Sequence, residues 1–284
     1  MQHTDAIMEK RPDNMNSIKL VLIGDMHYGA DSGCRPGTEV KPLLTQFTGL
    51  VNTAIQPKAV VEMGDRINNM DHDEDRRNLE LVVEQLDRQL AMPTFHVMGN
   101  HDTIFLKKEE TSQVFSEQAS WRSFYFWGFK FIFLDTVDPL IGYCGGRVGA
   151  EQLEWLDKTM QEDETPKLVF GHHPIDHQSM KNNANFTKDD AHLNFVENAA
   201  EVRAVLENGK RFSLYCCGHM HWFHFLVGSK GTFVTVPSFT EAYPASKGAP
   251  GSFLEMDVYT DGKIEACVRT LNPCRVIGAF TNNG

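Results

Sequence analysis

A chain of 284 residues with 41% hydrophobic residues is long enough to bury a substantial core, and a formal net charge of −11 argues against wide contact with nucleic-acid backbone. No stretch approaches about 18 consecutive apolar residues, so a membrane-spanning helix is not expected, and Met1 to Ser17 is a polar tail without the apolar run of a secretory leader. The six cysteines (Cys34, Cys144, Cys216, Cys217, Cys267 and Cys274) form no C-x-x-C pair, a usage expected of reduced thiols in the cytoplasm.

Residues 18–284 read as one domain, since no linker-like composition interrupts them. Ile18 to Ile23 is a short β-branched run that predicts a buried strand, and it stops at Gly24-Asp25-Met26-His27. Leu43, Leu44, Phe47, Val51, Ala54 and Ile55 then recur at helical spacing, closed by Pro57. A second strand, Ala59 to Met63, ends at Gly64-Asp65, and a polar loop, Asn68 to Arg77, follows as a candidate for substrate recognition. Leu79, Val82, Val83, Leu86 and Leu90 predict a second helix, stopped by Pro93, and the strand Thr94 to Met98 ends at Gly99-Asn100-His101-Asp102. Such β-α-β-α-β alternation predicts parallel strands with right-handed crossovers.

The second half predicts antiparallel pairs as well. Phe124 to Trp127 and Phe129 to Leu134 flank Gly128 as a hairpin, and their aromatic residues read as core. A helix around Leu153, Leu156 and Met160 precedes the strand Lys167 to Phe170, which ends at Gly171-His172-His173. The loop His177 to Asn194 is a second candidate for substrate recognition. A helix around Val202, Val205 and Leu206 leads to the strand Phe212 to Cys217, which ends at Gly218-His219-Met220-His221. Two hairpins close the chain, Phe223 to Val227 with Thr232 to Val236, and Phe253 to Tyr259 with Lys263 to Thr270. The pattern is α/β, a mixed two-sheet sandwich flanked by helices.

Five strands therefore end on carboxylate, imidazole or amide groups, and the carboxyl ends of parallel strands share one crevice. Such donors without thiolates suit Mn²⁺, Fe²⁺, Zn²⁺ or Co²⁺, and the arrangement is that of a two-metal hydrolase, whose ions sit about 3.5–4 Å apart. Asp65 is the candidate bridging carboxylate, because Gly64 lets the backbone turn sharply before it. Asp25 and His27, two apart, would point to one side of an extended segment, as would His219 and His221, with Met220 turned away. His96 reads as a core histidine, Arg66 as either a phosphate contact or an ion-pair partner of the acidic stretch Asp71 to Asp75, and Tyr28 and Arg147 as cleft-lining or packing residues.

The ordered motifs D-x-H, G-D, G-N-H-D, G-H and G-H-x-H resemble those of the calcineurin-like metallophosphoesterase superfamily, from Leu20 to Val227. The resemblance implies a four-layer αββα sandwich. It implies two divalent ions (Mn²⁺, Fe²⁺ or Zn²⁺), the first held by Asp25, His27, Asp65 and His221 and the second by Asp65, Asn100, His172 and His219. It also implies His101 as the acid that assists the leaving oxygen, with Asp102 orienting His101 or its loop; His173, pointing away from its neighbour His172, reads as either supporting the ligands from behind or facing substrate. The implied chemistry is in-line attack on phosphorus by a metal-activated hydroxide.

Asp65 is followed by Arg66-Ile67-Asn68-Asn69, unlike the Y-V-D-R-G of the protein Ser/Thr phosphatases, and Asn68 stands where purple acid phosphatases carry the tyrosine that binds Fe³⁺. What remains resembles the branch of class III cyclic-nucleotide phosphodiesterases, glycerophosphodiesterases and manganese-dependent ADP-ribose or CDP-alcohol diphosphatases; the segment Gly149 to Leu156 resembles a helix start common to that branch and to acid phosphatases, and does not choose among them. The expected substrate is a small-molecule phosphodiester, with phosphomonoesters as the runner-up, and a nuclease or a catalytically silent metal-binding scaffold behind both. A homodimer is the assembly the resemblance suggests.

Overall fold

The computed structural model describes residues 16–115, 121–181, 183, 191–241 and 248–282. Most of the polar tail and the centre of the 177–194 loop lie outside these residues. The strands are β1 (Ser17–Ile23), β2 (Ala59–Glu62), β3 (Thr94–His96), β4 (Arg122–Phe126), β5 (Phe129–Phe133), β6 (Lys167–Phe170), β7 (Phe212–Cys217), β8 (His224–Val227), β9 (Thr232–Thr235), β10 (Phe253–Tyr259), β11 (Ile264–Leu271) and β12 (Cys274–Thr281). The α-helices are α1 (Val40–Leu50), α2 (His72–Gln89), α3 (Lys108–Val114), α4 (Ala150–Gln161) and α5 (Ala199–Asn208).

Two mixed sheets result, in the strand orders β12-β11-β10-β1-β2-β3 and β4-β5-β6-β7-β9-β8. β1, β2 and β3 run parallel, as do β5, β6, β7 and β9, while the hairpins β4/β5, β8/β9 and β10/β11 are antiparallel as the sequence predicts. Strand β1 shows why its residues 20–23 are all apolar. Leu20 and Leu22 enter the core between the sheets with Phe131, Phe133, Phe170 and Leu214, whereas Val21 and Ile23 face the opposite way, beneath Leu44 and Phe47 of α1 and Val82 and Leu86 of α2. Helices α4 and α5 cover the outer face of the second sheet through Leu156, Met160, Val202 and Leu206, completing the αββα layers. The phenylalanines of β4 and β5 are core, as expected.

Three differences have physical causes. Residues 72–77 belong to the first turns of α2 rather than to a loop: Asp71 Oδ1 accepts a 2.8 Å bond from the Glu74 amide, and Asp73, Glu74 and Asp75 sit where the helix dipole favours acids. After α1 the chain makes one wider π-helical turn, Val51–Ile55, before Gln56 leaves the helix at φ 49°. Strand β12 escapes prediction because nearly every residue of it is exposed, so no alternation marks it; it pairs only with β11, at the edge of the first sheet. Among the described residues no helix is long and apolar enough to cross a membrane.

Candidate metal centre

The five motif-bearing turns converge. Asp25, His27, Asp65 and His221 offer ligand atoms all within 4.8 Å of one another, and every one of these side chains is buried. His27 Nε2 lies 3.0 Å from His221 Nε2, and His221 Nε2 lies 3.5 Å from Asp25 Oδ1. Beside this set, Asn100 Oδ1 is 3.0 Å from His172 Nε2 and 3.1 Å from His219 Nδ1. Asp65 Oδ2 stands between the two groups, 3.3 Å from His172 Nε2 and 4.0 Å from His27 Nε2.

The backbone that presents these groups is not extended. Asp25, His27, Asp65, His219 and His221 all adopt left-handed conformations, with φ between 49° and 67°. Each such non-glycine residue costs on the order of 1–3 kcal/mol and persists only where its surroundings over-determine it. Here the Asp25 and His27 amides bond to the Gly64 and Asp65 carbonyls at 2.9 and 3.0 Å, and the Asp25 carboxylate accepts the His219 amide at 3.0 Å. The three loops thus hold one another, and the extended geometry expected for D-x-H and H-x-H is replaced by a left-handed one. Gly64 is required: at φ 96°, a Cβ would lie 2.7 Å from the Gly99 nitrogen and 2.8 Å from His172 Nδ1. Met220 is buried with Cys144 and Leu193, away from the ligand atoms.

Three of the four imidazoles are oriented from behind. His172 Nδ1 is 2.8 Å from the Met63 carbonyl, His219 Nε2 is 3.2 Å from the Leu193 carbonyl, and His221 Nδ1 is 2.6 Å from Glu241 Oε2. These contacts fix which nitrogen faces the centre. Burial pushes the Asp65 carboxyl upward, but His172 and His101 beside it outweigh that and hold it well below the usual carboxylate range. Burial conversely lowers His172, and the Asp65 carboxylate more than reverses it, to about 9. Two carboxylates, four imidazoles and an amide oxygen closing on one buried space form a donor set that fits two divalent ions of the hard-to-borderline class.

His101 lies at the mouth, half-buried, with Nε2 3.4 Å from Arg35 Nη1 and with Nδ1 buried and unpartnered. Burial first, and Arg35 in addition, lower its pKa to about 4. Asp102 does not touch His101. It clamps the ligand loops: Oδ2 accepts the Gly99 amide at 3.0 Å and the Asp65 amide at 3.1 Å, and Oδ1 accepts the Arg66 amide at 2.9 Å.

Arg66 is not placed to bind substrate. Its guanidinium is fully buried, 2.6 Å from Asp102, also paired with Glu62, and stacked 4.0 Å over Phe115. The acidic stretch 71–75 does not reach it. His173 is likewise closed to substrate, because Nδ1 meets Thr136 Oγ1 at 2.8 Å and Nε2 meets the Cys144 carbonyl at 2.7 Å. Although His173 lies close to His172 and His219, both its nitrogens are occupied, so Asn100 is the better third member of that group. His96 is the core residue expected, held by Glu62 and Asp87, and Arg147 pairs with Glu197 instead of lining the centre.

Arg35 and Glu241 escape the sequence reading. Both lie in loops outside any motif, and only the folded geometry reveals them.

Buried ligand sets of this kind at the ends of parallel strands define a two-metal phosphoesterase. Residues 18–223 match the calcineurin-like phosphoesterase model, and the chain belongs to that family. A probable cyclic nucleotide phosphodiesterase of Synechococcus is 30% identical over 88 residues, a match that spans 30% of this chain and 32% of that protein, about a third of its length. A dimetal phosphatase from Danio rerio superposes with a TM-score of 0.67 at 17% identity, covering 93% of this chain and 98% of the other. Purple acid phosphatase from yellow lupin seeds gives the same TM-score at 16% identity, covering 93% and 53%. These two likenesses establish the shared fold.

Proposed function

We propose that the protein hydrolyses a small-molecule phosphodiester at a two-metal centre. The carrying observation is the position of Asp65 Oδ2 between the two ligand groups, 3.3 Å from His172 and 4.0 Å from His27. In this reading Asp25, His27, Asp65 and His221 hold one ion, and Asp65, Asn100, His172 and His219 the other. Two divalent ions, when bound, supply an activated water and neutralise charge on the phosphoryl oxygens.

The chain's own residues do the rest. Asp65 and Asn100 place the ligand groups on a common edge, Asp102 and Arg66 keep the loops at that spacing, and His101 Nε2 faces the leaving oxygen and assists its departure. The diester preference is supported by the name of the Synechococcus relative and by Asn68 in the position where purple acid phosphatases carry a tyrosine. The cysteines among the described residues are reduced thiols, which accords with a cytoplasmic setting.

The test is hydrolysis of bis(p-nitrophenyl) phosphate beside p-nitrophenyl phosphate by metal-stripped protein, with Mn²⁺, Fe²⁺, Zn²⁺ and Co²⁺ restored separately. Metal-dependent cleavage of the diester faster than of the monoester is the expected result. Faster monoester cleavage would transfer the assignment to a phosphomonoesterase.

A further inference from the structure

Three large apolar side chains stand in the open next to His101. Met70, Ile104 and Phe105 are 42%, 40% and 47% exposed, and among the described residues none of them belongs to an apolar cluster of the core. Leu106, the next residue, marks the contrast, being buried with Ile67, Leu79 and Phe115. A single exposed apolar side chain is ordinary, whereas three gathered at the rim of a buried polar centre call for a ligand.

Their placement is set by the backbone. His101–Thr103 is a 3₁₀ turn, and Ile104 continues it at φ −75° and ψ −51°. Side chains three apart eclipse in such a turn, so Ile104 lies on the same side as His101. Phe105 follows it directly. Met70 is brought to the same rim because the Asn69 side-chain amide donates to the His101 carbonyl at 2.7 Å, while the Met70 amide donates to Asp75 Oδ1 at 3.0 Å. The polar groups that flank these residues are engaged within the protein. Thr103 Oγ1 donates to the Asn100 carbonyl at 3.2 Å, Lys108 pairs with Asp135 at 2.7 Å, and His72 Nε2 meets Glu110 at 3.1 Å.

We infer that Met70, Ile104 and Phe105 form a subsite for the leaving group, and that the alcohol released carries an apolar alkyl or aryl body. This rests on the diester reading of the centre, in which His101 faces the leaving oxygen. Water oxygen bonds to phosphorus, the bond from phosphorus to the leaving oxygen breaks with its electron pair kept by that oxygen, and the proton given up by water ends there. The products are a phosphomonoester and the apolar alcohol. An apolar body laid against the three side chains is removed from water, and a hydroxylated one gains nothing from them.

The experiment uses hexyl glyceryl phosphate, a diester of one apolar and one polar primary alcohol, with metal-loaded wild type, Ile104→Ser, Phe105→Ser and the double variant. Phosphorus NMR compares glycerophosphate with hexyl phosphate among the products, a ratio internal to each sample and independent of metal content and total activity. The wild type is expected to release hexanol over glycerol by about 10-fold, and the double variant to approach parity. Both side chains are exposed, so serine in their place leaves the core as it is. Preferential release of glycerol, or the same ratio in the double variant as in the wild type, would overturn the inference. If the wild type cleaves no diester at all, the function proposed above fails, and calorimetric binding of hexylphosphonate beside methylphosphonate to the same proteins decides the subsite. Binding of the hexyl compound about 10-fold tighter, lost in the double variant, supports it; equal binding of the two by the wild type overturns it and leaves the three side chains to a macromolecular contact.

Discussion

Glu241 Oε2 lies 2.6 Å from His221 Nδ1, so a buried carboxylate holds the ring of a proposed metal ligand from behind. Glu241 is in turn seated by its amide, which donates to Ser238 Oγ at 2.9 Å, while that hydroxyl donates to the Asp25 carbonyl at 2.8 Å. One short loop after β9 therefore ties together two residues proposed to hold the same ion. Glu241→Ala should weaken binding of one ion by about 10- to 100-fold, the usual cost of losing such a partner, and leave the other ion in place. Metal titration followed by elemental analysis reads this directly; two ions held at wild-type affinity would refute it.

Asn100 and His101 are adjacent yet separable in role. Asn100→Ala removes the oxygen shared by His172 and His219, so metal content should fall from two ions toward one, with activity falling in step. His101→Ala removes no proposed ligand, so metal content should stay near normal while turnover drops by about 10²- to 10⁴-fold. Elemental analysis paired with single-substrate kinetics separates the two. Unchanged turnover in the His101 variant would end its assignment at the leaving oxygen.

The buried Arg66 provides a stability test. Removing one partner of a buried, hydrogen-bonded pair costs about 3–5 kcal/mol, because the other charge is stranded. Arg66→Met should show a loss of that order in urea unfolding, together with weaker metal retention, since Asp102 also fixes the Gly99 and Asp65 amides. A raised KM with stability intact would instead return Arg66 to the substrate.

His96 makes the fold sensitive to pH. Burial lowers its pKa, but Asp87 and Glu62 on either side more than compensate, and the net shift is upward from 6.5. A histidine whose folded value is raised contributes stability that is complete below its unfolded pKa and is lost as pH rises through the folded one. Melting temperature should therefore decline from about pH 6.5 upward more steeply in the wild type than in His96→Gln. Parallel curves for the two proteins would show that His96 does not titrate in this way.

Much of the centre was legible in the sequence because its ligands terminate strands: a run such as Phe212–Cys217, interrupted only by the small Ser213, announces a buried strand, and the first polar residues after it have only one crevice to face. The hairpins were legible for a similar reason, since glycine-bearing turns separate their apolar runs. What stayed hidden depended on contacts distant in the chain. Arg35 meets His101 across 66 positions, and Glu241 meets His221 from a loop with no motif of its own. The burial of Arg66 by Glu62, Asp102 and Phe115 is equally invisible until the turns converge. The left-handed backbone at Asp25 and His27 was missed because that conformation is usually signalled by glycine.

Those five left-handed residues mean that the shape of the centre is held by contacts from distant parts of the chain and not by local backbone preference. Two carboxylates and a ring of imidazoles are held out of water on backbone that resists being there. Substitutions that relieve this crowding should make the chain easier to fold while erasing the donor set, so stability and function pull in opposite directions at these positions.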